Sequence, residues 1–155
     1  MCTQPRLLHM EQTEGTLWRI VDVAPALMGR SYPAAAAALA AAGGGGERWS
    51  LEIIVEEDDL APWNTGTYLM TIEHESGIGG AAVVEKIEAS SSPSPGGGRP
   101  TVTLGVKALA SLWSGYRSAV ELRGMGLLRA DSDATLWMTN AVFATEKAPH
   151  VINHF

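Results

Sequence analysis

Cysteine is almost missing from this chain. Of 155 residues only Cys2 carries a thiol, so no disulfide can form within the chain, which fits a reducing compartment. Positive charge is also scarce, with 11 Lys and Arg against 17 Asp and Glu and a formal net charge of -6. A phosphate backbone is recognised by a basic stripe, commonly interleaved with aromatics, and no such stripe occurs, so the sequence excludes a nucleic-acid partner. Long hydrophobic runs are absent too. Spanning a bilayer takes about 20 apolar residues, and the longest candidate, the alanine run after Pro33, is too short and too weakly hydrophobic. Met1 to Glu14 is mostly polar, without the apolar core of a signal peptide. Together these absences predict a cytoplasmic chain with no membrane span.

The common catalytic signatures are missing as well. No nucleophile elbow, no phosphate-binding loop ending in Gly-Lys-Ser/Thr and no dinucleotide fingerprint is present. Gly77-Ile78-Gly79-Gly80 lies between two strand-like segments and opens no helix, so it reads as a turn. His150 and His154 are four apart, but Pro149 keeps that segment from placing both imidazoles on one helical face, and a metal site is not expected. The acidic run from Glu56 to Asp59 reads as a solvated loop rather than a cation site.

What is present describes one globular domain. Hydrophobic residues make up 46% and charged residues 18%, too apolar for intrinsic disorder. Residues 1–15 read as a tail and 16–155 as the domain, interrupted by low-complexity connections near 34–46 (Ala, then Gly) and 90–100 (Ser, Pro, Gly). Thr16 to Asp22 is rich in β-formers and predicts a strand, followed by a helix over 23–32 with Asp22 as N-cap. Arg48 to Glu56, with Trp49, Leu51, Ile53 and Val55 at period two, predicts a strand with one buried face. Gly66 to His74 and Ala81 to Ala89 follow as antiparallel partners, and Thr101 to Leu104 as a further short strand. Tyr32, Tyr68 and Tyr116 are expected half-buried with the hydroxyl at the edge. Val106 to Leu122 predicts a helix that Gly115 breaks or kinks, and Leu127 to Arg129 a short extended piece. A last helix, capped by Asp131 or Asp133, is expected to be largely buried through Ala134, Leu136, Trp137, Met138, Ala141, Val142 and Phe143. Lys147 suits its C-terminal dipole and Pro149 stops it.

The chain then ends on an aromatic residue, Phe155, which places an α-carboxylate at the tip of the segment from Ala148. Most termini carry no chemistry. A terminal carboxylate drawn into an apolar, dehydrated site has its charged form disfavoured, which raises its pKa and fits it for general-base work.

Four collinear segments carry a resemblance. They are Leu17-Trp18-Arg19-Ile20-Val21-Asp22-Val23 with Ala26-Leu27 and Arg30-Ser31-Tyr32; Pro62-Trp63-Asn64-Thr65-Gly66-Thr67-Tyr68; Leu109-Ala110-Ser111-Leu112-Trp113-Ser114-Gly115; and Ala148-Pro149 to Phe155. In order and spacing they are similar to the C-terminal sterol-carrier-like domain of the enhanced-intracellular-survival (Eis) family of GNAT-type N-acetyltransferases, over residues 16–155. The resemblance implies an α+β, sterol-carrier-protein-like fold with a mostly antiparallel sheet packed with helices. It implies a module fused behind, or paired in cis or in trans with, an acetyltransferase domain. Such enzymes acetylate amines of aminoglycosides and polyamine-like substrates with acetyl-CoA and assemble as homo-oligomers. Carried over, the general-base role falls on the carboxylate of Phe155, with His154 beside it as a substrate contact. No cofactor site is expected in this chain, because an acetyl-CoA site needs Arg/Gln-x-x-Gly-x-Gly/Ala at a helix start and the nearest run, Arg123-Gly124-Met125-Gly126, has the wrong spacing.

A second reading is a standalone carrier of a lipid or small apolar ligand. Its cavity would lie between helix and sheet, lined by Trp113, Trp137 and Met138. Core filling is the more ordinary role for aromatic and Met residues at helical spacing.

Overall fold

The structure, a computed structural model, describes residues 19–33, 35, 37, 48–56, 58–73, 80–87 and 99–145. Residues 1–18 with Trp18, most of the alanine and glycine run, residues 74–79 including most of the expected Gly77–Gly80 turn, residues 88–98 of the Ser-Pro-Gly stretch and everything from 146 onward lie outside the described residues.

A short helix, α1 (Val23–Met28), opens the fold. Asp22 sits at its N-cap position without a side-chain capping bond, and Gly29 closes it four residues before the sequence pattern would. The strand expected over 16–22 is not formed at Arg19–Asp22. The reason is local: the side chain of Asn64 donates to the carbonyls of Ile20 (3.4 Å) and Val21 (3.2 Å), occupying acceptors that a sheet ladder would use.

Five strands build one sheet. They are β1 (Arg48–Val55), β2 (Gly66–Glu73), β3 (Ala82–Ile87), β4 (Thr101–Leu104) and β5 (Leu128–Ala130), in the order β3-β2-β1-β4-β5. β1, β2 and β3 form an antiparallel meander with Ile53 opposite Tyr68 and Met70 opposite Val84. β4 lies parallel to β1, with Val102 opposite Ile53, and β5 returns antiparallel to β4. The period-two pattern puts Leu51, Ile53, Val55, Tyr68, Met70, Ile72, Val84, Val102, Leu104 and Leu128 on one face, all of them buried. Helices cover that face, and the other carries mixed residues such as Ser50, Glu52, Thr71, Val83 and Glu85.

Between β4 and β5 the helical stretch breaks at Gly115, as expected, into α2 (Val106–Ser114) and α3 (Ala119–Gly124). Gly115 takes the left-handed conformation (φ 76°) that ends a helix, and Ser118 with Glu121 forms a reciprocal capping box that starts the next. The last helix, α4 (Asp133–Val142), is capped by Ser132, whose hydroxyl accepts from the Thr135 amide, rather than by an aspartate. Only one side of α4 is buried, through Thr135, Leu136, Thr139 and Val142, with Phe143 just beyond it. Among the tyrosines, Tyr32 and Tyr68 are fully buried and Tyr116 is exposed, against the expectation of three half-buried rings.

Candidate functional site

Two polar constructions stand out against the apolar core. The first organises the approach to α1. Asn64 closes a 3-10 turn over Pro62–Asn64, is 0% exposed, and uses its whole amide: Oδ1 accepts from the Val23 amide at 3.2 Å while Nδ2 donates to Ile20, Val21 and Asp58 Oδ2 (3.1 Å). Asp58 in turn accepts from Arg19 Nη2 at 2.6 Å and from the amides of Leu60 and Ala61 at 3.3 Å. The Asn64 hydrogen bond, with those of Arg19 and Leu60, outweighs the opposing effect of burial and holds the Asp58 carboxyl below its ordinary pKa. Asp58 is therefore a structural anion inside the acidic run. Trp63 is exposed beside it, its indole N–H donating to the Val21 carbonyl at 2.9 Å.

The second construction lies where α2 and α4 both end. Arg30 sends Nη1 to the carbonyls of Leu112 (3.5 Å) and Trp113, and Nη2 to those of Phe143 (2.9 Å) and Ala144 (3.5 Å). Its guanidinium lies 5.4 Å from the ring centres of both Tyr32 and Phe143, which themselves meet edge to face at 5.7 Å. Helix C-termini leave carbonyls without partners and carry partial negative charge, so one planar cation satisfies two ends together. Burial lowers the Arg30 pKa from its ordinary value, and burial raises that of Tyr32, whose hydroxyl donates to the Leu27 carbonyl at 2.8 Å. Gly115 packs onto the same exit: a Cβ there would stand 2.5 Å from Thr145 Oγ1.

Beside this junction is a cleft of about 250 Å³, lined in part by Gly115, Tyr116, Glu121, Asn140 and Thr145. Asn140 Oδ1 is buried there without a hydrogen-bond partner among the described residues. A second cleft of about 240 Å³ lies on the open sheet face between Arg48, Leu69 and Glu85.

The residues singled out from the sequence fall apart in space. Trp113 is partly buried against the core and donates its indole N–H to the Ala26 carbonyl at 2.7 Å. Trp137 is 63% exposed and Met138 38% exposed on the outer side of α4, with Met138 Sδ against Trp49 Nε1. None of the three lines either cleft. His154 and Phe155 lie outside the described residues. Arg123 to Gly126 closes α3 instead of opening a helix, so this run does not present amides to a pyrophosphate. Among the described residues no group of His, Cys, Asp or Glu is placed to hold a metal ion, and no helix is long and apolar enough to cross a membrane.

The one-sided sheet, its parallel β1 and β4 pair and the helices that seal it define a sterol-carrier-like α+β domain. Residues 23–152 match the sterol carrier protein domain family, and the chain belongs to that family. Among solved structures, it is similar to a GCN5-related N-acetyltransferase from Anabaena variabilis, at 28% identity and TM-score 0.56 over 84% of this chain and 26% of that one. The fold is shared with a GCN5-related N-acetyltransferase from Kribbella flavida (20% identity, TM-score 0.58, 88% of this chain and 28% of that one). It is shared too with Eis1 from Mycobacterium abscessus (23% identity, TM-score 0.54, 88% of this chain and 27% of that one). The chain thus spans about a quarter of the length of each. A comparison with curated proteins finds no match.

Proposed function

We propose that this chain is the C-terminal module of an acetyl-CoA-dependent N-acetyltransferase of the Eis type, and that it presents the carboxylate of Phe155 to the active site of an acetyltransferase domain in cis or in trans. One observation carries the reading: 28% identity to an N-acetyltransferase along 84% of this chain, which fills 26% of that protein, as a module inside a larger enzyme would. The chemistry asked of the module is small. As the acceptor nitrogen attacks the thioester carbonyl, an N–C bond forms and the C–S bond breaks; the amine proton goes to the Phe155 carboxylate. Thiolate protonation and acetyl-CoA binding fall, on this reading, to the other domain, since Arg123-Gly124-Met125-Gly126 does not have the spacing of a pyrophosphate-binding motif. His154 would sit beside the base as a contact to a cationic acceptor such as an aminoglycoside.

The carrier reading has less support. Ligand pockets usually run from about 300 to 1,000 Å³, and the two clefts seen among the described residues are about 250 and 240 Å³.

The test is thiol release from acetyl-CoA with an aminoglycoside acceptor, catalysed by the acetyltransferase domain joined to or mixed with this chain. The chain is compared with its C-terminal carboxylate free and with that carboxylate converted to the amide, because deleting Phe155 would only hand a terminal carboxylate to His154. A positioned general base is worth about 10² to 10⁴ in rate, so amidation of the C-terminal carboxylate lowers kcat at least about a hundredfold with KM little changed. Equal rates overturn the proposal.

A further inference from the structure

We propose that the outward face of α4 is a self-association surface, on which a second copy of this chain docks with its own α4 running antiparallel. The inference stands independently of the acetyltransferase-module reading. It starts from the sequence of the helix: no charged residue occurs between Asp133 and Glu146, in a chain where 18% of residues are charged. On an isolated globular domain the solvent side of a helix carries the charges. Here the buried stripe of α4 runs through Thr135, Leu136, Thr139 and Val142, and the opposite stripe, Ala134, Trp137, Met138 and Ala141 at spacings of three and four, is exposed. Trp137 stands 63% exposed. Trp49, Trp63 and Trp113 each place the indole N–H on a partner within the chain, and among the described residues Trp137 is the tryptophan that does not. Trp49 also backs the stripe from the side, through Met138 Sδ.

Pattern, charge and size together select the occupant. The pattern is self-complementary: a two-fold axis passing between Trp137 and Met138 sets the Trp137 of each copy against the Met138 of the other, and the Ala134 of each against the other's Ala141. The alanines let the two helix backbones approach closely, and a thioether against an indole is a favourable contact. Such an isologous contact closes at two copies. Charge points the same way. Each copy carries a formal net charge of -6, so two copies repel wherever charged surfaces meet. The α4 stripe brings no charge into contact, and the carboxylate at its end, Asp133, is already paired with Arg123. Antiparallel helices also set each macrodipole beside the opposite end of the other. Size sets the strength. The ten residues of α4 make a helix about 15 Å long, and Trp137, exposed by 63%, offers about 150 Å² of a side chain that can bury about 250 Å². A stable interface covers about 800 Å² on each partner. The stripe is therefore the centre of a weak, reversible dimer, with a dissociation constant above about 1 µM.

Sedimentation equilibrium of the full chain tests the inference, under reducing conditions so that Cys2 forms no covalent dimer. A monomer–dimer equilibrium is expected between about 1 and 500 µM. It should tighten as salt rises from about 0.05 to 0.5 M, because salt screens the repulsion between two chains of like charge and leaves apolar contact intact. Trp137→Ala should weaken the dimer at least about a hundredfold, about tenfold for each of the two copies, and Trp137→Glu should abolish it. Both should leave the unfolding midpoint of the dilute monomer in place, since the side chain is exposed. Leu60→Glu, at a side chain 77% exposed in the loop before Pro62, controls for the loss of surface hydrophobicity in general and should leave the equilibrium unchanged. Oxidation reads the register in a Cys2→Ser background: Ala134→Cys mixed with Ala141→Cys should give a disulfide between the two variants, and neither should cross-link alone. A chain that stays monomeric to about 500 µM, a dimer indifferent to Trp137→Glu, or one that loosens with salt overturns the inference. So does cross-linking of Ala134→Cys with itself, which marks a parallel pair. If a chain monomeric on its own binds an acetyltransferase domain, and Trp137→Glu abolishes that complex, the stripe belongs to that domain and self-association is overturned.

Discussion

Asn64 carries more of the structure than its ordinary sequence context suggests. Its amide bridges the incoming chain at Ile20 and Val21, the first amide of α1 and the Asp58 carboxylate, with only the Val21 contact part-exposed. Asn64→Ala leaves several of these groups buried without partners, and each unsatisfied group costs about 1–3 kcal/mol. We expect a loss of about 2–3 kcal/mol in urea unfolding, spread over groups that share one network; a loss below about 0.5 kcal/mol would show that water takes over the amide's contacts. Asp58 adds a pH dependence with a definite sign. Its folded pKa lies below the ordinary carboxylate value of about 3.9, first through Asn64 and then through Arg19. The unfolded chain therefore takes up the proton first as pH falls. Stability contributed by Asp58 is complete above about pH 4 and is lost as pH drops through its depressed folded value. In urea titrations the wild type should lose stability below pH 4 more steeply than Asp58→Asn, and parallel curves would remove Asp58 as the cause. Neither residue was legible as a site. Asp58 sits in an acidic run that composition assigns to solvent, and what distinguishes it is the Arg19 and Asn64 partners 39 and 6 positions away.

At the scale of elements, the sequence announced what depends on near neighbours and missed what depends on distant ones. β1 and β2 are where their period-two patterns place them, because alternation reports a half-buried strand directly. The parallel pairing of β4 with β1 brings together residues about 50 apart and left no local trace. Trp137 and Met138 share the α4 segment with true core residues, and the apolar count hid that the buried stripe runs through Thr135, Leu136, Thr139 and Val142 instead. The break between α2 and α3 was half legible. Gly115 was a visible breaker, but the capping box Ser118-x-x-Glu121 beside it settles why a second helix starts so soon. Two substitutions separate the stop from the start. Gly115→Ala faces a left-handed backbone, about 1–2 kcal/mol for a residue with a Cβ, plus a contact at 2.5 Å with Thr145. It should destabilise by about 2 kcal/mol or more, with exchange rising first at position 115, whose amide donates to the Leu112 carbonyl at 3.1 Å. Ser118→Ala removes the hydroxyl that accepts from the Glu121 amide at 3.2 Å and should cost about 1 kcal/mol. Thermal or urea midpoints check both, and the reverse ranking would mean that Thr145 gives way freely.

At the scale of the molecule, membership of a sterol carrier family invites the expectation of a lipid-sized hollow, and the packing argues against one among the described residues. The helices close the sheet face through a continuous set of buried side chains from Val23 and Leu27 to Leu136 and Phe143. Interiors of this kind are packed about as densely as organic crystals, at a density near 0.75, and a ligand with a steroid nucleus cannot enter without displacing several of them. The aromatic residues that would line such a hollow are spent elsewhere: Trp113 on the Ala26 carbonyl, Trp137 on the surface. The open clefts of about 250 and 240 Å³ have polar rims supplied by Arg117 and Glu121 in one and Arg48 and Glu85 in the other. A fluorescent sterol or fatty acid titrated into the isolated full chain should therefore show no saturable binding at micromolar concentration and should not raise the unfolding midpoint. Ligand that binds the native state stabilises it by about 2.7 kcal/mol at a hundred times its Kd, so a carrier would declare itself in the same melt. A saturable signal with a matching rise in midpoint would replace the module reading with the carrier. A flat titration together with a fall in acetyl transfer when the C-terminal carboxylate is amidated would leave this domain as the module of an enzyme whose chemistry begins in another domain.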